Sequence, residues 1–195
     1  MPHNAAERRI FMNTANKLTL LRVVLVPVFM AFLLMNGTAW QLAALAVFVI
    51  ASLTDMLDGQ IARRCNQVSN LGKFLDPLAD KVLVIAAMAM LCELGQFPAW
   101  ALMIVLTREF AVSGLRMIAA TKGTVIAAGW SGKVKTATTM VCLCLALLLR
   151  GAFFTELLGE GASTVVEWVN VALISGTTLY SGGEYFVKNA AALRD

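Results

Sequence analysis

The chain has 195 residues, of which 59% are hydrophobic and only 14% charged, with a formal net charge of +4. Soluble domains usually carry about 25% charged residues, so this composition argues against a water-soluble fold and for one integral membrane domain. So few charges also argue against nucleic acid as a partner, and the excess of Lys and Arg reads instead as a cytoplasmic-face signal.

In chain order, residues 1–16 are polar and lack a small-residue cleavage site after a short apolar core, so no secretory signal is expected. Arg8, Arg9, Ile10, Phe11 and Met12 make this stretch a cytoplasmic tail or a short juxtamembrane helix at the interface. The membrane domain is expected over 17–195. Its first span covers residues 18–35 with a kink at Pro27, and Asn36 to Thr38 turn the chain. The second covers 40–63, followed by a polar loop over 64–70. The third covers 71–94, with Pro77 near its start, and a turn over 95–98 leads to the fourth at 99–121. A loop with Gly123, Gly129 and Gly132 precedes the fifth span at 133–154. An acidic loop over 155–163 precedes the sixth at 164–187. The expected fold class is all-α: an integral membrane bundle of six transmembrane helices, with or without an N-terminal interfacial helix.

Basic residues set the orientation. Arg8, Arg9 and Lys17 precede the first span, Arg63, Arg64 and Lys73 flank the second connection, Lys122, Lys133 and Lys135 the fourth, and Lys188 and Arg194 follow the sixth. The other side holds little beyond Arg150, with Glu93, Glu156 and Glu160. Both termini are therefore expected in the cytoplasm. Trp40, Trp100, Trp130 and Trp168 read as interface anchors, and the ten methionines as apolar filling. The four cysteines fit no zinc or thioredoxin spacing and read as core or lipid-facing thiols; His3, the single histidine, leaves no material for Ser-His or zinc-imidazole chemistry.

The chemistry concentrates between Ser52 and Lys81. Asp55 and Asp58 are three apart and share one helical face; Asp76 and Asp80 are four apart and share a face of the next helix. Four carboxylates at a membrane edge repel one another and resist desolvation. They are protonated, paired with cations, or bound to metal. Hard oxygen donors without a nearby His or Cys pair favour Mg²⁺, Mn²⁺ or Ca²⁺ over zinc. Two divalent ions would neutralise the quartet, and two-metal sites clamp phosphoryl oxygens during in-line displacement. Gly59 and Ala62 on or beside the carboxylate face, and Gly72 four residues before Asp76, admit a flat group or a neighbouring backbone. Arg63, one turn beyond Gly59, offers a guanidinium to a phosphate. Such an arrangement suits a diphosphate whose lipid tail stays in the bilayer. A proton relay or a small cation transporter would use the same aspartates.

The order D-x2-D-G-x2-A-R-x8-G-x3-D-x3-D resembles the signature of the CDP-alcohol phosphotransferases. All eight fixed positions are met within 26 residues, by Asp55, Asp58, Gly59, Ala62, Arg63, Gly72, Asp76 and Asp80. The G-x2-A-R element separates it from intramembrane prenyltransferases, which also use metal-bound aspartates. T-R-E-F-A-V-S-G-L-R at 107–116, S-G-K-V-K-T at 131–136, N-x-L-T-x-x-R at 16–22 and F-L-D-P-L-A-D-K at 74–81 are similar to the phosphatidylglycerophosphate synthase branch. Together these cover about two thirds of the chain; Ala15 stands where the branch often has proline, and the sixth span carries no family signal.

The resemblance implies a homodimer in the cell's inner (cytoplasmic) membrane, surrounded by membrane lipids, with the active site on the cytoplasmic side. It implies two divalent cations, Mg²⁺ or Mn²⁺, held by Asp55, Asp58, Asp76 and Asp80, and a CDP-diacylglycerol donor contacted by Gly59, Ala62, Arg63 and Gly72. An alcohol then attacks the β-phosphorus and displaces CMP, and the resemblance makes Asp80 the proton acceptor; the residues alone do not choose it over Asp76. Arg108 and Arg116, eight apart and so about 80° around a helix, can share an anion. With Lys133 and Lys135 they ask for a second phosphate, as in sn-glycerol 3-phosphate, which serine and inositol lack. The two lysines point to opposite faces of a regular helix, with a slight preference for Lys133 as the substrate contact. Other members of the family, making phosphatidylserine, an inositol phosphate lipid or cardiolipin, share the motif.

Overall fold

The computed structural model describes residues 14–65, 70–121, 129–150 and 159–189, and the side chains of these outside 14–19, 55–80 and 160. Among the described residues there are six helices and no strands: α1 Thr14–Leu34, α2 Thr38–Cys65, α3 Asn70–Glu93, α4 Ala99–Thr121, α5 Trp130–Leu149 and α6 Glu160–Lys188. The all-α class is thus observed. The N-terminal stretch read as a tail or juxtamembrane helix lies, over residues 1–13, outside the described residues.

The chain divides into two units, residues 1–87 and 88–195. In the first, α1 packs on α2. The buried stripe of α1 runs Arg22, Val26, Phe29, Leu33, at the 4-3-4 spacing of one helical face, and that of α2 runs Ala44, Phe48, Ala51. Phe29 and Phe48 meet with ring centroids 5.7 Å apart, and Phe32 and Trp40 at 5.3 Å. Gly37, at φ 116°, makes the sharp reversal between the two helices, a backbone region that other residues rarely enter. α1 continues through Pro27, whose missing N–H deprives the Val23 carbonyl of its helical donor.

In the second unit α6 packs on both α4 and α5. Its buried face runs Asn170, Val171, Ile174, Ser175, Thr178, Ser181 and Tyr185, against Val112 and Leu115 of α4 and a face of α5 that carries Lys135, Thr139, Leu143 and Leu147. The end of α3 is closed by a paired motif. Gly95, at φ 74°, donates to the Cys92 carbonyl at 3.0 Å, and Gln96 donates to that of Leu91 at 2.9 Å. These bonds satisfy carbonyls that the helix end would leave bare. At the far end of α6, Lys188 pairs with Glu184 one turn back, and that hydrogen bond holds the ammonium above its ordinary pKa.

Helix starts differ from the sequence reading by three or four residues at three places. α1 begins at Thr14 rather than Leu18. α5 begins at Trp130 rather than Lys133, and α6 at Glu160 rather than Thr164. In the last two the helix starts directly after a glycine with non-helical backbone, Gly129 or Gly159, and not where the apolar run starts. A polar first turn costs a helix little. α5 ends at Leu149, and residues 151–154, read as its continuation, lie outside the described residues. Among the described residues α5 is the one helix long and apolar enough to cross a membrane; 20–34 and 38–54 are shorter apolar helical stretches.

Candidate active site

In the first unit, α2 carries Asp55, Asp58, Gly59, Ala62 and Arg63 in its C-terminal half, and α3 carries Gly72, Asp76 and Asp80 in its N-terminal half. All eight motif positions are therefore helical, as their spacing requires. Their side chains lie outside the described residues. The helix leading to them hides its own polar groups: the Ser52 hydroxyl donates to the Phe48 carbonyl at 2.8 Å, and that of Thr54 to Ile50 at 2.7 Å. Hydroxyls bonded back to their own helix make a polar sequence tolerable in apolar surroundings. As a donor set, four carboxylates without nitrogen or sulfur fit a hard divalent ion. Among the described residues no group of three or more His, Cys, Asp or Glu gathers.

Arg22 of α1 is 1% exposed, the most deeply buried charged side chain among the described residues. It belongs to the N-x-L-T-x-x-R stretch, but the sequence reading assigned it no role. Its burial follows from position: four residues before Val26, it occupies the stripe that α1 turns toward α2.

In the second unit the predicted acceptor residues divide. Arg108 of α4 and Lys135 of α5 converge on one atom, Glu109 Oε1, at 2.9 and 2.8 Å. All three side chains are less than one-fifth exposed. Arg108 also donates through Nη2 to Ser181 Oγ of α6 at 2.8 Å, while its buried Nε–H has no partner among the described residues. Gly182 makes room for it: a Cβ there would stand a tight 3.1 Å from Cγ, whereas one on Gly132 would meet Nη2 at an ordinary 3.8 Å. Two cations on one carboxylate leave a net positive charge and an unused buried donor, the makings of an anion receptor.

Arg116 lies two turns further along α4. Its Nε donates to Tyr185 Oη at 3.1 Å, and its guanidinium carbon sits 5.5 Å from the centroid of the same ring. Lys133 takes no part in the cluster. It is exposed, 5.9 Å above the Trp130 ring. Of the two lysines, Lys135 joins the arginine. The sequence put the two on opposite faces but could not say which face α5 turns inward. Glu109, Ser181 and Tyr185 were not foreseen as parts of the site. Glu109 lay inside the 107–116 stretch without a role of its own, and α6 offered no recognisable pattern.

With this geometry in view, comparison with known proteins places the chain. The family model of the CDP-alcohol phosphatidyltransferases matches residues 12–175. The chain belongs to that family and is an enzyme, a phosphatidyltransferase. It is similar to the CDP-diacylglycerol–glycerol-3-phosphate 3-phosphatidyltransferase of Bacillus subtilis (strain 168), with 42% identity over 194 residues, 93% of this chain and 97% of the relative. The relative of the same name from Rickettsia felis is 36% identical over 182 residues, covering 91% and 96%. That of Shigella flexneri serotype 5b is 39% identical over 153 residues, covering 75% and 82%.

Proposed function

We propose that this enzyme transfers a phosphatidyl group from CDP-diacylglycerol to sn-glycerol 3-phosphate, giving phosphatidylglycerophosphate and CMP. The observation that carries the choice of acceptor is the Arg108–Glu109–Lys135 cluster, with its surplus positive charge and the spare Nε–H of Arg108. Acceptors without a phosphate would leave such a group unanswered inside an apolar chain. The names of the relatives specify the same two substrates.

Roles follow from residue chemistry. Gly59, Ala62 and Gly72 leave room for the cytidine end of the donor, and Arg63 holds its diphosphate. Asp55, Asp58, Asp76 and Asp80 hold two divalent cations, Mg²⁺ or Mn²⁺, which when bound neutralise the diphosphate and the departing phosphate. Arg108, Arg116 and Lys135 bind the acceptor's phosphate, with Lys133 at the rim. The Asp80 carboxylate takes the proton of the glycerol 1-hydroxyl as its oxygen attacks the β-phosphorus. The bond from that phosphorus to the CMP oxygen breaks, and CMP leaves with the electron pair.

The setting is the inner (cytoplasmic) membrane, with all six helices spanning over 17–195, both termini and the site in the cytoplasm, and two copies forming a dimer. Exposed apolar side chains on every helix with described side chains support immersion in lipid, among them Leu20, Ile50, Trp100, Phe110, Val141 and Leu179.

The test is CMP release by purified protein given CDP-diacylglycerol and each acceptor in turn: glycerol 3-phosphate, serine, inositol phosphate and phosphatidylglycerol. Release with glycerol 3-phosphate alone is expected. Release with another acceptor in its place would overturn the assignment. Asp58→Asn should lower the rate by at least about 100-fold and weaken Mn²⁺ binding; full activity would remove the aspartates from the metal role.

A further inference from the structure

The sixth helix carries no family motif, yet both arginines of the acceptor cluster end on it. Arg108 and Arg116 are eight residues apart on α4, and their partners Ser181 and Tyr185 are four apart on α6. Both partners are buried, at 1% and 7% exposure. The Tyr185 ring is packed with Val112 and Leu115, which lie one turn and one residue before Arg116 on the same helix. Its hydroxyl is therefore a fixed post rather than a swinging one. Arg108 is held in a comparable way: Ser181 and Glu109 take its two terminal nitrogens, and the bare face of Gly182 lets its stem lie against α6.

The geometry points to Ser181 and Tyr185 as positioning residues for the acceptor phosphate, acting through Arg108 and Arg116. An arginine side chain has four torsions to immobilise before its planar fork can meet a phosphate. Contacts already made in the free enzyme remove that cost from the binding step. Neither residue touches the reacting atoms. Their loss shows as weaker binding of the acceptor, not of the lipid donor and not in the rate at saturation.

This inference rests on the acceptor reading of Arg108 and Arg116, and the test separates the two. Steady-state CMP release is measured for the whole enzyme and for Tyr185→Phe, Ser181→Ala, Arg116→Ala and the double variant Arg116→Ala/Tyr185→Phe. Tyr185→Phe keeps the ring and its packing and removes only the hydroxyl that accepts from Arg116. It is expected to raise the KM for glycerol 3-phosphate about 5- to 10-fold. The KM for CDP-diacylglycerol and the kcat should stay within error, and the Tm should fall by no more than a few degrees. Ser181→Ala is expected to behave alike. In the double variant the tyrosine change should add nothing to the effect of Arg116→Ala, because it acts through that side chain. A raised acceptor KM in Arg116→Ala with an unchanged one in both Tyr185→Phe and Ser181→Ala overturns the positioning role alone. So does full additivity in the double variant. An unchanged acceptor KM in Arg116→Ala overturns the acceptor reading of Arg116, and the positioning role of Tyr185 with it.

Discussion

Glu109 is the residue on which the second unit's electrostatics turn. One of its oxygens accepts from both Arg108 and Lys135, whose side chains are 13% and 7% exposed. Truncating one member of a buried ionic group costs about 3 kcal/mol or more, mostly because the remaining charges lose their partner. Glu109→Ala is therefore expected to lower the Tm in detergent, by roughly 6 °C if about 1 kcal/mol is worth about 2 °C in a chain of this size. Adding Lys135→Met should recover part of the loss, since it removes one of the two stranded cations. A Tm unchanged in Glu109→Ala would mean that the cations are satisfied without it. At this scale the reading from sequence was uneven. The eight motif positions are legible because each demands a particular side chain at a particular spacing. Glu109 is adjacent in sequence to Arg108, and adjacency alone says nothing about an ion pair with a lysine 26 residues away.

Among the elements, α6 shows how a helix without motif residues can still shape a site. Two neighbouring glycines on it differ in what a methyl group would meet. A Cβ on Gly182 would come 3.1 Å from Arg108 Cγ, whereas one on Gly183 meets nothing within 4 Å. Alanine is preferred over glycine inside a helix by about 0.5–1 kcal/mol. Gly183→Ala should thus raise the Tm by about 1–2 °C with activity intact. Gly182→Ala should lack that gain and should raise the KM for the phosphate acceptor, since the displaced stem pulls Arg108 from Ser181. Equal behaviour of the two variants would show that α6 leaves Arg108 more room than its contacts indicate. The limits of α5 and α6 teach a related lesson. Apolar patterning marks the part of a helix that is buried or bathed in lipid. Where the helix starts is decided by backbone conformation at Gly129 and Gly159, several residues outside the apolar run.

For the whole molecule, the six helices and the placement of Lys and Arg make a topology test direct. A reporter active only in the cytoplasm should work when fused before Met1 or after Asp195, and fail when inserted at Gly95 in the turn between α3 and α4. Activity of the inserted reporter would reverse or break the six-span arrangement. On the proposed six-span arrangement, an even number of crossings would return both ends to one side, which the basic residues would make the cytoplasm.

The amino-acid sequence alone determined the helical class, the approximate positions of six helices, the carboxylate motif and the family. Each of these is written in local spacing: apolar runs of a certain length, acids three and four apart, glycines where bulk is forbidden. Only the tertiary structure decided that Lys135 rather than Lys133 meets Arg108, that Glu109 joins them, and that Ser181 and Tyr185 receive the two arginines. Those pairings depend on how α4 and α5 are rotated about their axes against α6. Helix rotation is set by the sum of many packing contacts, which no single stretch of chain contains.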